Sequence, residues 1–104
     1  MHVDKFNELN KEMLKECFKI LNEKGSDYTN SEQDALSNFK VTAQLNGLTP
    51  LQNWSVLFTK HILSIFKYIK TNELKSETID SRIQDAINYL LLLNGLIKEN
   101  EKKL

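Results

Sequence analysis

At 104 residues the chain is long enough for one modest hydrophobic core and too short for two. Its 40% hydrophobic and 27% charged residues are ordinary for a globular domain, and 14 basic against 14 acidic side chains leave no net charge. That balance excludes the basic excess of a dedicated nucleic-acid backbone binder, and the longest apolar run, Tyr89 to Leu93, is too short to span a bilayer.

The N-terminal stretch carries Asp4 and Glu8 where an export signal needs an apolar region, so no such signal is expected. The single cysteine, Cys17, has no partner for an internal disulfide, which suits a reducing compartment. The expected location is the cytoplasm, of a bacterium or of a host cell.

Residues 3–24 predict a first helix. Phe6, Leu9, Met13, Cys17 and Leu21 recur at spacings of three and four, with Leu14, Phe18 and Ile20 widening the stripe. Gly25 is the expected stop, and Cys17, on the stripe, reads as a small core hydrophobe. His2 falls in a loose N-terminus with no assigned role. Residues 25–31 are rich in turn formers, and Ser31-Glu-Gln-Asp34 resembles a capping box for a second helix. That helix turns Leu36, Phe39 and Ala43 inward and ends at Gly47.

Thr49-Pro50 combines a capping hydroxyl with a proline in the first turn, a strong helix start. Leu51, Trp54, Phe58, Ile62, Ile65 and Ile69 then trace an apolar face to about residue 70. Trp54 belongs to core packing, His61 lies at the edge of the face, and Lys60, Lys67 and Lys70 fall away from it. After a polar connection over residues 71–76, Ser76 is the expected cap of a fourth helix to about Glu99, with residues 1–2 and 99–104 frayed. No alternating run or hairpin dipeptide signals a strand. The expected fold is all-α: a single domain over residues 1–104 forming a four-helix antiparallel bundle.

The fourth helix divides when placed at about 100° per residue. Ile79, Ile83, Ala86, Ile87 and Leu90 share one face, and Glu77, Asp80, Ser81, Gln84 and Asn88 lie broadly opposite, a stripe that taken alone is a solvated surface. The face of Asp85 continues through Tyr89, Leu92 and Leu96. From Tyr89 to Leu93 hardly any direction is polar, so burial on all sides is expected, by the rest of the chain or by a second subunit. Asp85 then stands at the edge of a buried zone, where an unpaired carboxylate is costly and a metal or cationic partner relieves it. Glu77 and Asp80 form the only Glu-x-x-Asp, a spacing that lets two hard oxygen ligands reach one Mg²⁺ or Mn²⁺ ion. Dipole stabilisation in a first helical turn is the competing explanation for Glu77.

Lys24-Gly-Ser-Asp-Tyr28, Asp34-Ala-Leu-Ser-Asn-Phe39, Thr59-Lys-His61, Glu77-Thr-Ile-Asp80 and Asp85-Ala-Ile-Asn-Tyr89 resemble the phage-type nucleotide-modification-associated domain family. That family is similar to the MazG-like all-α nucleotide pyrophosphohydrolases. The resemblance spans roughly residues 18–98. It implies a nucleotide site between helices, completed by a dimer or tetramer, with Mg²⁺ (or Mn²⁺) held by Glu77, Asp80 and Asp85. It also implies substrate-binding positions at Asp27, Tyr28, Asn38, Lys60 and His61. The chain departs from the MazG-like pattern in having no Glu-x-x-Glu. Three outcomes therefore stand open: metal-assisted hydrolysis of a nucleoside triphosphate or modified nucleotide, sequestration of a nucleotide signal without chemistry, or inhibition of a host protein through the helical surface.

Overall fold

Each of the four helices begins or ends where its sequence offers a partner for exposed backbone groups. The computed structural model of the protein describes residues 1–28, 34–74 and 77–102, with side chains omitted for residues 24–28. Among these residues all regular structure is helical: α1 (Val3–Tyr28), α2 (Ser37–Asn46), α3 (Pro50–Thr71) and α4 (Ile79–Lys102). None of these helices is long and apolar enough to cross a membrane.

His2 has a role after all. Its Nδ1 accepts the Asp4 backbone N–H at 3.1 Å, taking up one of the donors that a helix start leaves unpaired. Gly25 does not stop α1, which runs through it to Tyr28. A glycine inside a helix costs only about 1 kcal/mol relative to alanine, and helical context overrides that. Asp27 and Tyr28, expected in a loop, therefore have helical backbone. The Ser31 cap falls outside the described residues. At the start of α2, Asp34 instead accepts the Leu36 N–H at 3.0 Å, and no side chain caps the helix itself.

The α2–α3 joint follows the sequence closely. Gly47 ends α2 in the left-handed conformation at φ 69°, where only glycine is unstrained, and the Leu48 N–H returns to the Ala43 carbonyl at 2.9 Å. Two residues later Thr49 Oγ1 accepts from the Gln52 N–H at 3.1 Å while Gln52 Oε1 accepts from the Thr49 N–H at 2.9 Å. This is a reciprocal capping box with proline in the first turn. At α4 the capping hydroxyl is Thr78, which accepts the Ser81 N–H at 3.1 Å; Ser76 lies outside the described residues.

Helix α3 packs on α4, α2 on α3, and α1 on α4. The core consists of Phe39, Trp54 and Leu96, with Leu36, Leu51, Leu57, Phe58, Tyr89, Leu92 and Leu93 around it. Buried Asn53 joins α3 to α2: its Nδ2 donates to the Phe39 carbonyl at 3.3 Å and to Thr42 Oγ1 at 2.6 Å. Thr42 Oγ1 in turn donates to the Asn38 carbonyl at 2.7 Å. Near the C-terminus Glu99 meets Lys40 at 2.6 Å, Lys40 also holds Asp34 at 2.7 Å, and α4 continues to Lys102. The hydrogen bonds to Asp34 and then Glu99 push the Lys40 ammonium above its ordinary range.

Coverage stops short of the apolar surface. On α3 Leu63, Phe66 and Ile69 are exposed, and on α4 Leu90 and Leu91 remain 51% and 40% accessible. The expectation that α4 is buried on all sides is therefore not met within one chain. The core itself is small enough that one residue weighs heavily. Replacing Leu96 with alanine should lower the unfolding free energy by about 2–5 kcal/mol, read from the shift in the urea midpoint with the slope unchanged.

Candidate functional site

The best-defined group of functional side chains lies where α1, α3 and α4 converge. Asp85 on α4 and His61 on α3 stand 3.8 Å apart, an ion pair when the imidazole is protonated, with side chains 16% and 17% accessible. The Tyr89 ring, one turn along α4 from Asp85, lies 4.4 Å from the His61 ring, centroid to centroid. Tyr89 is held from behind by Phe39, edge-on at 5.8 Å, and by Phe58 at 6.3 Å. Its backbone carbonyl accepts the Trp54 indole N–H at 2.7 Å. An imidazole, a carboxylate and a supported aromatic ring thus share one largely covered place. Such a set can accept hydrogen bonds from hydroxyl or amino groups and lie against a planar ring.

Cys17 of α1 closes the other side. It is fully buried, its Sγ lies 3.9 Å from the Gln84 carbonyl, and the Asn88 amide donates to the Cys17 carbonyl at 3.0 Å. Burial, then the nearby Asp85 and Glu16 carboxylates, push the thiol above its ordinary pKa. A buried thiol held protonated is a poor nucleophile, in agreement with the core role expected for it.

The same contacts divide the polar side of α4, whose Glu77 and Asp80 are exposed. Asn88 is only 5% accessible and Gln84 is half-buried. The stripe that taken alone is a solvated surface is in part the seat of α1. Asn88 serves there as a fitted polar group, although its Oδ1 has no hydrogen-bond partner among the described residues.

The three expected metal ligands do not converge. Asp80 and Asp85 are five residues apart, roughly 140° around the helix, and Asp80 is exposed. Glu77 precedes the helix and turns back on it: its Oε2 accepts the Ser81 hydroxyl at 3.1 Å and lies 3.4 Å from Arg82 Nε. No group of three His, Cys, Asp or Glu side chains among the described residues could hold a metal ion. Arg82 escaped the sequence reading because a spacing of five does not place two residues on one helical face. The pair forms only because Glu77 lies outside the helix.

The remaining candidates are scattered. Lys60 is exposed on α3, and Asn38 is half-buried near the start of α2, with its carbonyl tied to Thr42. Asp27 and Tyr28 occupy the last turn of α1, and their side chains lie outside the described residues. Of the positions expected to act together, the structure joins His61 with Asp85 and adds Tyr89. The signal for Tyr89 was present, since it follows Asp85 by four residues on the same helical face.

No family model, curated protein or solved structure matches the chain. The resemblance to the nucleotide-modification-associated and MazG-like proteins accordingly rests on the short motifs themselves.

The buried thiol gives two checks. Native Cys17 should react with a thiol reagent orders of magnitude more slowly than in denaturant, because labelling requires opening of the α1–α4 contact. Its folded pKa is raised, so its contribution to stability is fully present below the ordinary value of 9.0 and declines as the pH rises through that value toward the folded one. Cys17→Ala should be less stable at neutral pH but should lose less on going to alkaline pH, as followed by urea unfolding across a pH series.

Proposed function

We propose that the protein binds a nucleotide or nucleotide derivative at the His61–Asp85–Tyr89 site and acts by binding, not hydrolysis. The observation that carries this reading is the convergence of those three side chains at the α3–α4 contact. Tyr89 and His61 offer ring surfaces to a base, and Asp85 accepts hydrogen bonds from base amino or sugar hydroxyl groups. Lys60, exposed beside His61, neutralises phosphate. The engagement of Glu77 by Arg82 and Ser81, and the separation of Asp80 from Asp85, favour binding over metal-assisted chemistry. In this reading the four helices alternate in direction and further copies of the chain cover the apolar surface of the bundle. The protein then works in the cytoplasm, as a phage-related chain that sequesters its ligand.

A second reading has its own support. Phe66 and Ile69 on α3 and Leu90 and Leu91 on α4 are exposed large apolar residues, which suits a helical surface that docks on a host protein.

A thermal-shift screen against nucleotides, with and without Mg²⁺, tests the first reading. At a hundredfold excess over the dissociation constant a true ligand adds about 2.7 kcal/mol of stability and raises the melting temperature by several degrees. Asp85→Asn and His61→Ala should remove that rise while circular dichroism shows the helices intact, and no pyrophosphate should be released. If no nucleotide raises the melting temperature, the nucleotide reading fails and the protein-docking one takes its place.

A further inference from the structure

Helix α1 is used over only half its length. Its C-terminal half is fixed to α4 through Cys17 and Asn88, whereas residues 1–12 are all exposed. The apolar stripe nevertheless continues into that first half. Phe6 and Leu9 are 54% and 40% accessible, and Met13 is half-buried at the boundary. At a 3.5-residue repeat, Phe6, Leu9 and Met13 form one seam. A helix of 26 residues is about 39 Å long, in a molecule whose longest dimension is 45 Å, so the open half is a substantial rod.

We infer that this half of α1 pairs with the same half of α1 in a second copy of the chain, antiparallel about a two-fold axis. Charge complementarity selects a second copy over other occupants. Lys5 and Glu12 flank the seam on one side, one heptad apart. When Phe6 of one copy lies against Leu9 of the other, Lys5 of each faces Glu12 of its partner. A two-fold axis makes that ion pair twice. The pairing rests on the assembly part of the function proposed above and is independent of its nucleotide site.

Charge exchange tests the pairing. In sedimentation velocity over a wide concentration range the chain should dimerise. Lys5→Glu should raise the dissociation constant about tenfold, with the effect shrinking as salt is added, because two attractive contacts become repulsive. Glu12→Lys should do the same, and K5E/E12K together should restore the dimer. Within one chain Lys5 also approaches Glu8 at 4.0 Å. The double variant does not repair that contact but sets a lysine, at position 12, four residues from Glu8, so circular dichroism of each variant separates helix stability from the contact between copies. Phe6→Asp, at an exposed position, should abolish the dimer while circular dichroism remains unchanged. A monomer at every concentration overturns the inference, as does a chain whose α1 binds anionic vesicles and does not self-associate. An oligomer indifferent to all these changes overturns the α1 pairing while leaving the assembly intact. Nucleotide-induced stabilisation is read separately and moves with neither result.

Discussion

The arrangement depends on one contact: the Trp54 indole N–H donating to the Tyr89 carbonyl at 2.7 Å. A buried indole donor without an acceptor costs about 1–3 kcal/mol, so α3 and α4 are held in the register that supplies one. The rings add to it: Trp54 stacks on Phe58 at 4.6 Å, and Tyr89 meets Phe39, Phe58 and His61. From Trp54 two turns of α3 lead to His61, and from Tyr89 one turn of α4 leads back to Asp85. The spacing of the candidate site is thus set by an aromatic contact that belongs to the core.

What the sequence revealed followed from whether a signal was local. Thr49, Pro50 and Gln52 specify a helix start among themselves, and Gly47 specifies an end by the backbone conformation it alone adopts without strain. Both were legible without knowing the fold. Gly25 carried a similar stop signal, yet α1 continues past it, because a modest propensity yields to its context. Among the polar residues of α4, the burial of Asn88 was illegible for a different reason. Hydrophobic periodicity treats every Asn and Gln as solvent-facing, whereas Asn88 is buried because its amide fits the Cys17 carbonyl. Of the candidate site, the place of Asp85 at the margin of an apolar face was legible, whereas the Glu77–Arg82 contact was not, because Glu77 lies outside the helix.

The same packing leaves the isolated chain lightly buried. Its exposed area corresponds to covering about 55% of the surface of an unfolded chain of this mass, below the roughly 60% typical of a domain of only about 60 residues. Large apolar side chains on α1, α3 and α4 stay in contact with water, where they add nothing to stability. A partner covering those side chains would add burial, and such a gain scales with partner concentration.

The tight joint at Gly47–Leu48–Thr49 also bears on how the molecule forms. Helices α2 and α3 meet through Phe39, Thr42 and Asn53, residues no more than 14 positions apart along the chain. Closing so short a loop loses little entropy, and contacts of low sequence separation form early. The α1–α4 contact, by contrast, joins Cys17 to Asn88 across 71 positions. The helical pair that backs the aromatic cluster is thus closed by a short loop, whereas the docking of α1, which seals Cys17 beside Asp85, closes a far longer one.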